Sequence, residues 1–319
     1  MSHAYDPELA AVIPALPVPD LSDIPALRTL IDERVAAATA ARPVDTTGVE
    51  VRDLELPGVR DAAPVKVRTY AAHDRPRPSG AILELHGGGY VIGSLAITHD
   101  QNLRLARETG VLIVAVDYRL APEHPYPAAL HDCHAALCWL AERAEALAVD
   151  RERIAVRGVS AGAGLAAALA LLLRDEGGPA LCFQFLVTPA LDDRQRTESV
   201  RRFGDTPLWT TQNARDGWDA YLGAGRAGAG DVPVYAAPAR ATDLAGLPPA
   251  YVSVMEFDPL RDEGIAYAQQ LLAAGVQVEL HLFPGTFHGS VSIAKAQVSQ
   301  RERAEEVAVL RRALGDAPR

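Results

Sequence analysis

The sequence predicts an α/β fold in which a mostly parallel central sheet carries helices on both faces. Short, fully apolar runs, such as residues 111–116, are typical of strands buried in a parallel sheet. Helical patterns alternate with these runs along the chain. Two of the runs lead directly into glycine-rich turns, at the strand ends where such sheets place their chemistry. One α/β domain with insertions is a normal arrangement for 319 residues.

The composition excludes several classes of protein. Hydrophobic residues make up 49% of the chain, enough for a sizeable core, and the formal net charge of −10 argues against nucleic acid or an anionic membrane as the main partner. No run approaches the ~20 apolar residues of a membrane span, and the N-terminus lacks the features of a signal peptide. Three cysteines, an odd and sparse count, fit a reducing compartment. We therefore expect a cytoplasmic protein.

The cysteines and histidines of one stretch do not predict a metal site. Cys133 and Cys138 lie close to His131 and His134 on a predicted helix. Structural zinc usually has four ligands with CxxC-type spacing, which this stretch lacks. We expect neither a metal nor a cofactor.

Two segments lie outside the predicted sheet. Residues 1–45 precede the first strand pattern and carry a helical pattern over 21–41, so we predict a cap segment there and a main domain over 46–319. A cap insertion is expected at about residues 190–240, because Pro189 and Pro248 are too far apart for a plain βαβ crossover. The insertion contains aromatic residues that line a pocket or pack against the body: Trp209, Trp218 and Tyr221.

The remaining elements follow from periodicity and turn residues. Thr98 and Gln101 have the spacing of a capping box, at the start of a helix that Gly110 ends. Other helices are predicted at 128–147, 161–173, 265–274 and 294–314. Antiparallel edge strands are predicted at 49–56 and 65–70 with turn residues at 57–58 and 62–64, and further strands at 81–85, 111–116, 154–157, 182–187, 250–254 and 276–283. One side of the last strand alternates as in a half-buried strand: Val276, Val278, Leu280 and Leu282.

The strand at 81–85 runs into His86-Gly87-Gly88-Gly89. Consecutive glycines permit positive φ and close backbone approach, as an oxyanion hole built from peptide N–H groups requires. The alternatives are a flexible loop or a phosphate loop, and no Lys-Ser/Thr follows to support the latter.

Ser160 lies at the centre of Gly158-Val159-Ser160-Ala161-Gly162, between a strand-like run and a long Ala/Leu helix. That context favours a nucleophilic serine on a strained turn, with small neighbours that allow close approach. The alternative is a glycine-rich turn with an incidental serine. Asp258 and His288 follow the last two predicted strands, so the order along the chain is Ser, Asp, His. An imidazole can take the hydroxyl proton near neutral pH, and a carboxylate fixes its tautomer.

Other residues compete for these roles. Asp262 and Glu263 fall near a first helical turn, where a favourable interaction with the helix dipole also explains them. His281 lies within a strand, and His86 belongs to the glycine loop, where a structural hydrogen bond is expected. The charged residues of the loop at 117–123 are expected to form internal ion pairs rather than to act in catalysis: Asp117, Arg119 and Glu123.

Taken together, these motifs make the chain similar to the hormone-sensitive-lipase-like carboxylesterases, bacterial family IV, of the α/β-hydrolase superfamily. The resemblance runs from about residue 81 to 289 and includes the Asp117–Glu123 stretch, Asp258–Glu263 and Phe287-His288-Gly289. It implies an α/β-hydrolase fold with a helical cap, Ser160 as nucleophile, His288 as base and Asp258 as acid. It also implies an oxyanion hole made by the N–H groups of three residues: Gly88, Gly89 and Ala161. Val159 departs from the family, which usually has Asp or Thr there.

The expected function is hydrolysis of short to medium acyl esters through an acyl-enzyme intermediate. An amidase or deacetylase with the same triad is an alternative, and so is a non-catalytic binding protein, since gibberellin receptors resemble this family without the catalytic histidine. The presence of His288 favours an enzyme. A small-molecule ester is the expected partner, and a homodimer is an assembly that the sequence allows.

Overall fold

The structure is a computed structural model that describes residues 3–58 and 64–315. Residues 62 and 63 of the predicted turn lie outside the described residues, as do Met1 and Ser2 of the N-terminus. The described part forms one eight-stranded sheet in the order β1-β2-β4-β3-β5-β6-β7-β8. The strands are β1 (Val49–Leu56), β2 (Val65–Ala72), β3 (Ser79–Leu85), β4 (Leu112–Asp117), β5 (Val149–Val159), β6 (Phe183–Val187), β7 (Ala250–Phe257) and β8 (Val278–Phe287).

The first two strands are antiparallel, as predicted, and the pairs from β4 onward are parallel. β2 pairs antiparallel with both β1 and β4, so of the two predicted edge strands only β1 lies at an edge of the sheet. All pairs from β4 through β8 are parallel, which brings the carboxyl ends of β3, β5, β7 and β8 to one side of the sheet. The expected mostly parallel sheet is confirmed.

Five of the helices in the described residues cover the two faces of the sheet. The helices are α1 (Pro7–Ala10), α2 (Ile24–Ala41), α3 (His99–Thr109), α4 (Ala128–Glu142), α5 (Ala161–Glu176), α6 (Glu198–Arg202), α7 (Thr211–Leu222), α8 (Arg261–Ala273) and α9 (Gln297–Leu314). The apolar sides of α4, α5 and α8 share one buried cluster with the sheet. Those of α3 and α9 share a second cluster on the opposite face. Each face of the sheet is thereby removed from water.

The N-terminal segment and the insertion contact each other above the strand ends. Leu21 packs with Trp209 of the insertion and Val91 in one small cluster. Asn213 Nδ2 donates to Pro19 O at 2.7 Å, and Arg28 of α2 donates to Val91 O at 2.8 Å. These contacts tie the first 30 residues to α7 and to the loop after β3.

Three local predictions need correction. Thr98 precedes α3 but makes no capping box with Gln101; its hydroxyl instead accepts a hydrogen bond from Asn102 Nδ2 at 3.2 Å. The helix predicted over 128–147 ends at Glu142, and the one predicted from 265 begins at Arg261. Gly110 ends α3 as predicted, with φ of 69°.

The predicted buried side of β8 is also wrong. Leu280 and Leu282 are 36% and 44% exposed, whereas Phe283 and Phe287 are buried. β8 is an edge strand that pairs only with β7, so its side chains have less cover than those of an inner strand. Val278 alone of the alternating set within the strand packs against the larger core cluster.

Candidate active site

β5 is followed by a strained turn at Ser160, which has φ of 56° and ψ of −117°. Glycine is required on both sides of it. A Cβ on Gly158 would lie 2.2 Å from Gly162 O, and one on Gly162 would lie 2.1 Å from Leu85 O. α5 begins at Ala161, whose N–H therefore has no acceptor within the helix. The turn presents the Ser160 side chain at the start of α5.

Ser160, His288 and Asp258 form a hydrogen-bonded chain. His288 Nε2 lies 3.0 Å from Ser160 Oγ, and His288 Nδ1 lies 2.8 Å from Asp258 Oδ2. Asp258 is fully buried, and its other oxygen accepts from Leu260 N at 2.8 Å. Ser160 and His288 are 4% and 8% exposed. The structure thus brings the three residues singled out from the sequence into one site, although they are up to 128 positions apart.

The glycine loop lies against the Ser160 turn. A Cβ on Gly87 would lie 3.4 Å from Ser160 Cβ. Gly88 and Gly89 have φ of 126° and 59°, and Gly88 O accepts from Val91 N and Ile92 N, at 3.0 and 2.9 Å, in a tight turn. Gly89 lines the same small cavity as Ser160. The backbone predicted to bind an oxyanion is therefore placed beside the serine.

His86 has a structural place under this loop. Its ring stacks on Tyr118 with centroids 4.1 Å apart, and its Nδ1–H donates to Gly87 O at 2.8 Å. Burial lowers the pKa of His86 to about 4, which keeps the ring neutral. Tyr118 donates to His86 O at 2.7 Å. This agrees with the structural hydrogen bond predicted for it.

The competing acids have other partners. Asp262 Oδ2 accepts from Ser199 N at 2.8 Å. Glu263 is buried and accepts from Leu191 N at 2.7 Å, and burial raises its pKa well above the ordinary value. This hydrogen bond joins the segment after β6 to α8, and the helix-dipole explanation of Glu263 did not predict it. His281 lies on β8, and its Nδ1 is 2.5 Å from Oε1 of Glu305 on α9.

The charged loop after β4 forms ion pairs. Arg119 donates to Asp132 of α4 at 2.7 Å, and Asp132 is buried. Glu123 accepts from Arg28 of α2 at 2.9 Å in an exposed pair. Burial raises the pKa of Asp117, with Lys66 acting in the opposite sense. Internal ion pairs were predicted for Asp117, Arg119 and Glu123. Arg119 and Glu123 form ion pairs, although that of Glu123 is exposed, and Asp117 forms none with the residues that the structure describes. The loop sequence alone does not identify the partners on α4 and α2.

Two of the three aromatic residues noted in the insertion line the cavity beside Ser160. Trp209 and Trp218 line a cavity of about 10 Å³ together with Ser160, and the Trp209 and His288 rings lie 5.9 Å apart. Tyr221 packs instead, stacked on Tyr90 at 3.9 Å. Sequence reasoning missed Gly217, where a Cβ would lie 2.8 Å from Gly89 O. No sequence signal marks that contact, because it joins α7 to the loop after β3.

The described ranges offer neither a metal cluster nor a membrane-spanning helix. Residues 3–58 and 64–315 hold no group of three or more His, Cys, Asp or Glu side chains suited to a metal ion. Among the helices in these ranges, none has the length and apolar character needed to cross a membrane. Cys133, Cys138 and Cys182 are free thiols.

Comparison with known proteins gives consistent matches. A family model described as an alpha/beta hydrolase fold matches residues 82–292. The chain is 39% identical to Esterase LipI of Mycobacterium tuberculosis, covering 91% of this chain and 89% of that protein. It is 39% identical to an ethyl acetate hydrolase of Pseudomonas putida, covering 75% and 74%. A solved structure titled bacterial heroin esterase superposes with a TM-score of 0.94 at 47% identity, covering 98% of each chain.

Proposed function

The chain belongs to the alpha/beta hydrolase fold family, as a carboxylesterase of its hormone-sensitive-lipase-like branch, and from that premise we propose that Ser160, His288 and Asp258 are its catalytic triad. The observation that carries the proposal is the chain of hydrogen bonds, 3.0 and 2.8 Å long, that joins the serine hydroxyl through the imidazole to a buried carboxylate. A hydroxyl is a weak nucleophile until a base removes its proton, so this arrangement supplies what ester cleavage needs.

The reaction follows from the geometry in two halves. His288 Nε2 takes the Ser160 proton while Oγ attacks the ester carbonyl, and the imidazolium then protonates the departing alcohol. Asp258 Oδ2 accepts from Nδ1–H, fixes the tautomer and stabilises the imidazolium. Water attacks the resulting acyl-enzyme by the same route, which releases the acid and restores Ser160.

The negative charge of each tetrahedral intermediate needs donors. We assign them to the N–H groups of Gly88, Gly89 and Ala161. The positive φ of both glycines and the place of Ala161 at the first turn of α5 support the assignment. Peptide donors held in place before reaction lose no energy to reorganisation, and removal of one such donor typically costs 10²–10³ in kcat, roughly, in related chemistry.

The test of the triad is Ser160→Ala. We expect ester turnover to fall to the residual rate while the thermal unfolding midpoint stays near that of the wild type. A serine-directed organophosphate should add one adduct to the intact mass of the wild type and none to the variant. Labelling that persists in Ser160→Ala would place the nucleophile elsewhere.

The acyl group is proposed to be short to medium in length. Trp209 and Trp218 leave about 10 Å³ beside Ser160, space for about one water molecule, so an acyl chain would have to displace an indole, and a longer chain would displace it further. Each methylene that fits is worth about 0.8 kcal/mol, and the gain ends where the chain meets these rings. One relative's name, ethyl acetate hydrolase, points to the same class.

The acyl proposal is tested by kcat/KM for p-nitrophenyl esters of increasing acyl length. We expect a maximum at short to medium chains in the wild type and a shift to longer chains in Trp209→Ala. Rates measured across the solubility limit of a triglyceride should show no jump. A maximum at long chains, or activation at the interface, contradicts the proposal.

Three further expectations are also proposals. Residues 1–45 and about 190–240 would form one cap, supported by the packing of Leu21 on Trp209 and by the hydrogen bond from Asn213 to Pro19 O. A cytoplasmic location is supported by the three free thiols, and cell fractionation tests it. A homodimer is tested by light scattering on the purified protein.

A further inference from the structure

A second cavity lies on the other side of the sheet from α5. Its volume is about 610 Å³, within the usual range of small-molecule sites. It is bounded by α3, α9, the ends of β5 to β7 and residues 42–45. Val159 lies in its wall, directly before Ser160, and so does Ser292, four residues after His288. The cavity thus adjoins the two loops of the active site without including either side chain.

The cavity wall contains several apolar side chains. They include Val44, Leu103, Val159, Phe185, Val187 and Val291. Such a surface favours an aliphatic group over water, since burial of apolar area is favourable.

The wall also carries charged side chains, and three of them form a cluster of ion pairs: Arg104, Arg157 and Glu306. Arg157 donates to Glu84 at 2.6 Å and also to Glu306, and Arg104 donates to Glu306 at 2.5 Å. Arg107 donates to Asp45 O at 2.6 Å. The lining contains five arginines and four carboxyl groups, so its formal charge is slightly positive.

Glu302 and Arg303 line the cavity outside that cluster of ion pairs. Glu302 is only 7% exposed, lines the cavity, and makes no hydrogen bond with any residue that the structure describes. Burial, and next the nearby Glu306, raise the pKa of Glu302 to about 8, so it is mostly a neutral acid at pH 7. Arg303 donates to Val291 O at 2.9 Å, its one side-chain hydrogen bond within the described ranges. Burial, and next Arg104, lower the pKa of Arg303.

We propose that this cavity is a binding site for an aliphatic monocarboxylate, held by Arg303 and Glu302 at its head and by the Val159 side of the wall along its chain. A guanidinium pairs with a carboxylate through charge-assisted hydrogen bonds, and a neutral carboxylic acid can donate one more. Glu302, which is buried, thereby gains a hydrogen-bond partner, and the partly buried Arg303 gains a carboxylate in addition to Val291 O. The site is independent of the roles assigned to the triad.

The ligand also has a structural consequence. A chain that lies along Val159 contacts the strand that ends at Ser160, while its head lies near the Val291–Ser292 segment that follows His288. A ligand that binds the folded protein and not the unfolded chain raises the stability of the folded protein by mass action. The bound carboxylate should therefore raise the thermal unfolding midpoint.

The test is equilibrium dialysis of radiolabelled octanoate against Ser160→Ala, which removes turnover from the measurement. We expect one saturable site per chain, affinity that rises about fourfold per methylene from butyrate to octanoate, and no competition by octanamide. Arg303→Gln should weaken binding about tenfold or more. Val159→Phe, which fills space among the apolar side chains and leaves the Arg303–Val291 contact in place, should do the same. Arg301→Gln, on the same helix but outside the cavity, is the matched control and should bind as Ser160→Ala does.

Several results would overturn the proposal. Absence of saturable octanoate binding at millimolar concentration would do so, and so would equal affinity in Val159→Phe. Loss of binding when the wild type is labelled by a serine-directed organophosphate would place the acid in the catalytic pocket. Because Val159→Phe and Arg303→Gln change different residues of the cavity wall, one folded variant is enough to decide between these outcomes.

Discussion

Replacement of Asp258 by asparagine tests the triad at its buried end. Each carboxylate oxygen of Asp258 accepts one hydrogen bond at 2.8 Å, from Leu260 N and from His288 Nδ1. An asparagine of the same shape offers one acceptor and one donor group. It can satisfy only one of the two N–H donors as they stand.

The two orientations of the new amide differ in cost. If its oxygen faces His288, its NH₂ group opposes the Leu260 N–H, and a buried unsatisfied donor costs about 1–3 kcal/mol. If its oxygen faces Leu260, its NH₂ group faces Nδ1, and the imidazole restores the bond by carrying its proton on Nε2. The second orientation keeps both hydrogen bonds and is favoured. Nε2 then donates towards Ser160 Oγ and cannot accept its proton.

We expect kcat of Asp258→Asn to fall about 10⁴-fold, the effect of a wrong tautomer in this kind of triad, or about 5 kcal/mol in activation free energy. KM and the thermal unfolding midpoint should stay near wild type, because the buried hydrogen bonds are kept. The assay is steady-state hydrolysis of p-nitrophenyl butyrate with parallel thermal unfolding.

Asp262→Asn is the matched control. Asp262 accepts from Ser199 N and Arg261 Nε, both at 2.8 Å, so its substitution should lower stability by about 1 kcal/mol and leave kcat close to wild type. A fall in kcat of less than about tenfold in Asp258→Asn, or an equal fall in both variants, refutes the reasoning.

Two further predictions concern the glycine loop. Gly89→Ala should lower kcat/KM about tenfold or more, because the new Cβ would lie 2.4 Å from Trp209 and φ is 59°. Gly48→Ala, with φ of 78° and open space around it, is the control for backbone strain. Unchanged kinetics in Gly89→Ala would contradict the assigned oxyanion loop. His86 should make stability depend on pH: its pKa of about 4 lies below the unfolded value of 6.5, so the unfolded chain binds the proton more readily and stability falls as the pH drops from about 6.5 to 4, by up to about 3 kcal/mol. Urea unfolding across this range should show that slope, and His86→Asn should reduce it; equal slopes in both proteins would disprove the cause.

The sequence predicted the strands and the polar residues at their ends for a physical reason. Strands buried in a parallel sheet are largely apolar, so the glycine-rich or polar residues that follow an apolar run mark the end of a strand. Ser160 was found from the glycines around it, Asp258 and His288 from their positions after the last two predicted strands, and parallel pairing of β5 through β8 brings the three together. Their order along the chain, Ser then Asp then His, is the order of the α/β-hydrolase triad.

What the sequence did not predict depends on contacts between distant segments. Leu280 and Leu282 alternate as a buried side would, yet they are exposed because β8 lies at the edge of the sheet, and pairing order is not visible in one strand. Glu263 followed a helix-start pattern, but its carboxylate binds the N–H of Leu191, 72 positions earlier. The narrow cavity beside Ser160 likewise depends on where the insertion packs.

Val159 shows which positions of the Gly158–Gly162 motif can be interpreted from the sequence alone. Gly158 and Gly162 are fixed by backbone contacts at 2.2 and 2.1 Å, and those contacts exist only because the turn is strained. The side chain between Gly158 and Ser160 lies in the wall of the cavity beside α9, on the opposite side of the sheet from α5. With valine at this position the Ser160–His288 hydrogen bond is present. The choice of residue at 159 is governed by what lies behind the strand, which is why the proposed carboxylate site, and not the triad, should respond to its substitution.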